Sequence, residues 1–143
     1  DIGKVAIRDA LSLKEGILEN DARKEIEAHV LVGGKIIDDI IRRSGTSDTL
    51  MQVAKNIAKH HHEKHNGQGY PYGLKGADIP LEARIFALSD VYDALRPRRP
   101  YKQPLTHEEA VDLIIAERGE HFDPDIVDVF IAVQNKFAAA SRE

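Results

Sequence analysis

The sequence predicts an all-α domain of about six helices. Three observations carry that expectation. Apolar residues recur at three- and four-residue intervals through most of the chain. No stretch alternates convincingly as a strand would, and no repeat appears. Helix start and stop signals bracket the periodic segments. At 143 residues the length fits one domain.

Each element can be justified in order. Between Asn20 and Gly45, the residues Ile26, His29, Val30, Gly33, Ile37, Ile40 and Ile41 follow one helix face. Asn20 is its candidate N-cap and Gly45 its stop. The Gly33-Gly34 pair weakens helix propensity and so predicts a close helix crossing. In the next helix Leu50, Val53, Ile57 and His61 share a face, with Ser47 or Thr49 as the cap. Residues 64–79, with glycines at 67, 69, 73 and 76, read as a loop. Pro80 opens a helix striped by Leu81, Ile85, Leu88 and Tyr92. Three prolines in "RPRRPYKQP" (96–104) break the pattern. Thr106 and Glu109 form a capping-box pair before a short helix that ends at Gly119. Asp123-Pro124 then starts a last helix with Ile126, Val129, Phe130, Val133 and Phe137 on its core face.

Composition narrows the function. Hydrophobic residues make up 42% and charged residues 31%, enough apolar material for a core. A net charge of −4 supplies no general field for a nucleic-acid polymer, so an anionic substrate needs local metals or arginines. With no cysteine there is no disulfide and no thiolate metal site, which is compatible with reducing cytoplasm. No apolar run is long enough for membrane insertion. The opening "DIGKVAIRDALSLKEG" lacks the apolar region of a signal peptide.

The densest chemistry lies in "HHHEKHNGQGYPYG" at 60–73. Imidazole nitrogens near carboxylates suit borderline divalent metals. On a regular helix the adjacent His61 and His62 point about 100° apart, so they would serve two neighbouring metals, or one metal with the second ring at its edge. His29 faces the core, either as a ligand or as a satisfied polar residue. Asp90, within "IFALSDVYDAL", needs a cation or a hydrogen-bond donor, or a helix salt bridge. Asp93 reads as structural, and His60, His65, His107 and His121 as solvated or loop residues. Lys4, one helical turn from Asp1, either leans over whatever Asp1 binds or is a surface lysine. Arg96, Arg98, Arg99 and Lys102 form a basic cluster that is either solvated or aimed at phosphate. The glycine loop has no Walker pattern, so composition alone argues weakly for a phosphate cradle.

The stretches "DIGK" (1–4), "HHEKHNGQGYPYGLKG" (61–76), "IPLEARIFALSDVYDALRPRRPYK" (79–102) and "FDP" (122–124) together resemble the HD-GYP family. These are HD-superfamily phosphodiesterases of bacterial cyclic di-GMP signalling. The resemblance implies an HD-domain-like helical bundle over residues 1–143, lacking its N-terminal helix or helices. It implies metal ligation by Asp1, His29, His61, His62 and Asp90, with Lys4 and Asp1 at the reacting phosphate. Gly69, Tyr70 and Pro71 match the signature tripeptide beside the substrate. Arg99 and Lys102 match basic residues that reach its phosphates. The implied cofactors are two divalent ions, Fe or Mn, with a third in some members. The implied reaction opens cyclic di-GMP to linear pGpG and in some members continues to GMP, with cyclic GMP-AMP as a related substrate. Cytoplasmic location and diguanylate cyclase (GGDEF) domains as partners follow from the same resemblance.

Three departures stand out. The histidine that pairs with Asp1 in the family is absent, as are upstream helices, so this chain by itself is expected to be inactive while the parent protein is an enzyme. Asn66 stands where the family commonly has aspartate. The 143 residues themselves include no receiver or sensor stretch, which family members usually carry. The alternative reading is a catalytically silent module that binds the cyclic dinucleotide or a GGDEF domain.

Overall fold

A computed structural model describes residues 2–6, 20–45, 48–96 and 104–140. Six α-helices lie within them: α1 (Asn20–Glu27), α2 (His29–Ser44), α3 (Thr49–His60), α4 (Leu81–Leu95), α5 (His107–Ala116) and α6 (Pro124–Ala140). Short 3-10 turns occupy Ile2–Ala6 and Gly76–Asp78. No strand occurs among the described residues. A single bridge, Arg118 to Phe122, closes the turn before α6. The all-α expectation is borne out.

Local chemistry sets the boundaries, and in places moves them. The single helix expected from Asn20 is divided at Ala28. There the His29 ring takes the Ile26 carbonyl at 2.5 Å, while the Leu31 and Val32 amides both bond the Ala28 carbonyl at 3.1 Å. Gly45 ends α2 as expected, in the left-handed region at φ 67°. Asp48, rather than Ser47 or Thr49, caps α3, accepting from the Met51 amide at 2.9 Å. Ser47 lies outside the described residues, and Thr49 is already the first helical residue. The Thr106–Glu109 capping box forms in both directions, but α5 stops at Ala116, and Gly119 sits beyond it in the turn at φ 82°.

Helices α2 and α3 pack together, and the turn Ile2–Ala6 lies on α2. The second half builds the main core from Leu88, Tyr92, Val111, Ile114, Phe122, Val127 and Phe130, with Ala110 filling between them. Two predicted stripes are rotated. In α4 the buried residues are Ala83, Ala87, Leu88 and Tyr92, whereas Leu81 is 54% exposed. Small alanines let α4 approach its neighbours closely, and the larger Leu81 and Ile85 are left lining an open apolar groove of about 360 Å³ with Val129 and Phe137. In α6, Val127 takes the core position expected of Val129, which is 63% exposed. Leu50 and Ile40 are likewise exposed rather than on a core face. No helix among the described residues is long and apolar enough to cross a membrane.

Candidate metal centre

His29 opens α2, His61 caps the end of α3, and His62 follows it. The helix crossing between α2 and α3 brings the three together. One ring nitrogen from each lies within 4.8 Å of the others, with His29 and His61 buried and His62 half-buried. Ring centroids are 5.7 Å apart for His29–His61, 5.1 Å for His29–His62 and 4.1 Å for His61–His62. Because α3 stops at His60, the next two residues leave regular helix. The His61 and His62 rings are inclined by only 38°, so adjacency does not keep them from a common cluster.

Backbone carbonyls orient two of the rings. The Nδ1–H of His29 donates to Ile26 at 2.5 Å, and that of His61 donates to Ile57 at 2.8 Å. A carbonyl can only accept, so each ring carries its proton on Nδ1 and presents Nε2 as a lone-pair donor. Burial pushes His62 down to about 3, with the neighbouring His61, His29 and Lys4 acting in the same direction. Burial likewise lowers His29 and His61, partly opposed by these carbonyl bonds. Three neutral imidazoles, two buried and one half-buried, fit a borderline divalent cation.

The other expected site residues divide into three groups. Lys4 is near: Gly3 lies so tightly on the His29 carbonyl and the Gly33 amide that no side chain fits there, and the charge of Lys4 lowers both His29 and His62. Asp90, on α4, is close enough for its charge to favour protonation of His29 and His61, but it is not among the atoms of the 4.8 Å group. Asp1, Arg99 and Lys102 lie outside the described residues.

Gly69, Tyr70 and Pro71 form a wall against the cluster. The Tyr70 ring stacks on His62 with centroids 4.9 Å apart and planes inclined by 24°. Its amide donates to the His62 carbonyl at 3.2 Å, and the Tyr70–Pro71 peptide is cis. Burial, then the nearby Glu27 charge, pushes the Tyr70 hydroxyl up to about 12. A pocket of about 210 Å³ opens between Tyr70, Pro71 and the α1–α2 segment at Lys24, Glu27, Ala28 and Leu31.

Sequence reasoning passed over Glu63, which is 2% exposed. Its carboxylate accepts the Tyr72 amide at 2.8 Å and the Leu74 amide at 3.0 Å. The available signal was an acid set between two histidines and a glycine-rich loop. The histidines read as solvated or loop residues are part-buried. The His60 ring packs on Tyr72, the His65 amide bonds the His121 carbonyl at 3.0 Å, and His107 Nδ1 pairs with the Tyr92 hydroxyl at 2.8 Å. Asn66 joins the loop to the turn before α6 through Glu120 at 2.8 Å. Arg96, counted with the basic cluster, donates instead to the Leu105 carbonyl at 3.3 Å. Asp93 is exposed.

Fold and site thus define an all-helical domain with a three-histidine centre that could hold metal, walled by a Gly-Tyr-Pro loop. A family model described as HD domain matches residues 1–126. The chain belongs to the HD domain family, in its HD-GYP branch. It is 50% identical over 137 residues to a probable cyclic di-GMP phosphodiesterase of Vibrio cholerae, covering 96% of this chain and 31% of that protein. It is 42% identical over 139 residues to the 3'3'-cGAMP-specific phosphodiesterase 2 of the same organism, covering 97% and 26%. A crystal structure of a cyclic GMP-AMP specific phosphodiesterase from V. cholerae matches with a TM-score of 0.52 at 24% identity, over 92% of this chain and 32% of that one. At that identity the likeness speaks to the fold. The chain spans about a third of the length of the curated relatives it matches.

Proposed function

We propose that the protein is a metal-dependent phosphodiesterase that opens cyclic di-GMP to linear pGpG and carries some product on to GMP. The observation that carries this reading is the convergence of His29, His61 and His62 beside the Tyr70–Pro71 wall. The high identity to a probable cyclic di-GMP phosphodiesterase supports that substrate over cyclic GMP-AMP.

In this reading His29, His61 and His62 hold divalent ions, and Asp90 and Asp1 complete the ligand set. Two divalent ions bound there, Fe or Mn, with a third as in some members of the family, would supply Lewis-acid polarisation of a phosphoryl oxygen and make water acidic enough to act as a nucleophile. Lys4 faces the negative charge that grows on the phosphate. Tyr70 and Pro71 shelter His62 from water and bound the nucleotide on one side. Arg99 and Lys102 pair with its phosphates, where a planar guanidinium suits two oxygens at once. Residues 1–143 act as one domain, working in the cytoplasm with GGDEF domains as partners.

The test is to load the full-length protein anaerobically with Fe or Mn and follow cyclic di-GMP by chromatography. Linear pGpG should accumulate, and chelation should stop it. Tight binding of the nucleotide without turnover would replace the enzyme with a binding module. Neither binding nor turnover would overturn both.

A further inference from the structure

We infer that Glu63 is a positioning residue, whose buried carboxylate clamps the Tyr72 and Leu74 amides and so sets the Tyr70–Pro71 wall against His62. The function of that wall rests on the reading above; the clamp itself rests on geometry. A buried carboxylate is unfavourable unless hydrogen bonds satisfy it. Both oxygens of Glu63 spend their bonds on one short strap of backbone, nine and eleven residues further along the chain. Neither bond serves a helix, and neither touches the histidine nitrogens.

The strap is gripped from its other side as well. Gly69 presses on the Glu63 backbone, where an added Cβ would stand 2.5 Å from Glu63 Cα and 2.6 Å from its carbonyl carbon. The Gly67 amide bonds the Lys64 carbonyl at 2.8 Å, and the Tyr70 amide bonds His62 at 3.2 Å. The loop is therefore fixed between the backbone of residues 62–64 and the Glu63 side chain. Tyr70 sits in the middle of that span, with its ring on His62. Carbonyls orient His29 and His61, whereas ring contacts with His29, His61 and Tyr70 orient His62. Three consecutive residues thus divide two tasks: His61 and His62 face the metal centre, and Glu63 turns away to brace the wall.

Glu63→Gln in the full-length protein tests this, because glutamine keeps the volume but turns one acceptor into a donor facing an amide. Hydrogen exchange at the Tyr72 and Leu74 amides should accelerate, while anaerobic metal content stays near wild type. The dissociation constant for cyclic di-GMP should rise roughly 2- to 5-fold, less than the loss expected of Tyr70→Ala, because the acid acts only through that wall. Combining Glu63→Gln with Tyr70→Ala should weaken binding little beyond Tyr70→Ala alone, since the acid acts through that wall. Glu63→Asp, the milder variant should glutamine prevent folding, reaches one amide fewer and should give the same changes in smaller measure. Unchanged exchange at both amides, or losses that multiply in the double variant, would overturn the inference. Wild-type protein that ignores cyclic di-GMP defeats the proposed function, and exchange at Tyr72 and Leu74 then decides the clamp by itself.

Discussion

Tyr70 lies over His62 with ring centroids 4.9 Å apart and planes inclined by 24°. The contact uses the ring face and leaves the phenol oxygen outside it. Tyr70→Phe should therefore keep cyclic di-GMP affinity within about 3-fold, whereas Tyr70→Ala should lose roughly 5- to 10-fold, the worth of an aromatic pair. The hydroxyl is pushed up to about 12, first by burial, so it remains protonated at neutral pH. The pH profile of turnover for Tyr70→Phe should overlay that of wild type from pH 6 to 9. A large loss in Tyr70→Phe would assign the hydroxyl a direct part in the reaction.

His62 and its near neighbour His60 offer a sharp contrast within three residues of sequence. His62→Ala should strip metal and activity together, because the centre loses a nitrogen from the 4.8 Å group. His60→Ala should keep its metal, since that ring packs on Tyr72 instead. Metal analysis of anaerobically loaded protein reads both. Equal metal loss in the two variants would mean that general destabilisation, not ligation, is being measured.

The helical class and most helix ends were legible in the sequence, because caps and glycine stops act over a few residues. The Thr106–Glu109 box and Gly45 are of that kind. The break at Ala28 was not legible, since it depends on the His29 ring taking a carbonyl from the backbone ladder. Core faces failed where helix approach, not residue size, decides burial: Ala83 and Ala87 go inside and Leu81 stays out. At the site, spacing alone leaves His29 as either a ligand or a satisfied polar residue, and the family resemblance carries the expectation that His29, His61 and His62 share one site. The three do converge, through a helix crossing and the end of α3 at His60, which no periodicity encodes. Glu63 stayed hidden because its partners are backbone amides, which carry no side-chain signature.

Arg99→Ala should raise the dissociation constant for cyclic di-GMP roughly 10- to 150-fold, the range for one charge-assisted hydrogen bond, and leave metal content unchanged. Lys102→Ala should act in the same direction. Calorimetry on metal-loaded protein separates this from His62→Ala, where metal falls first. Wild-type affinity in Arg99→Ala would make these cations a solvated surface.

Arg84 on α4 donates to Asp123 at 2.5 Å, and the other Asp123 oxygen accepts the Asp125 amide at 2.9 Å at the start of α6. One buried acid therefore ties the helix that carries Asp90 to the last helix. Burial alone would raise this carboxyl, but the Arg84 and Asp125 hydrogen bonds outweigh it and hold Asp123 below its ordinary value. A carboxyl depressed in the folded state contributes its stability above the unfolded value, about 3.9, and loses it as pH falls through the folded value. Asp123→Asn should cost roughly 1.5–3 kcal/mol at neutral pH, as for a hydrogen bond to a charged group. The gap to wild type should narrow once the pH drops below about 4, where the unfolded chain begins to take up a proton that the folded carboxyl still refuses. Urea unfolding of both proteins at neutral pH and at steps toward pH 3 measures this. A gap that stays constant across the series would show that asparagine disturbs packing at the α4–α6 junction, and that the ion pair itself adds nothing.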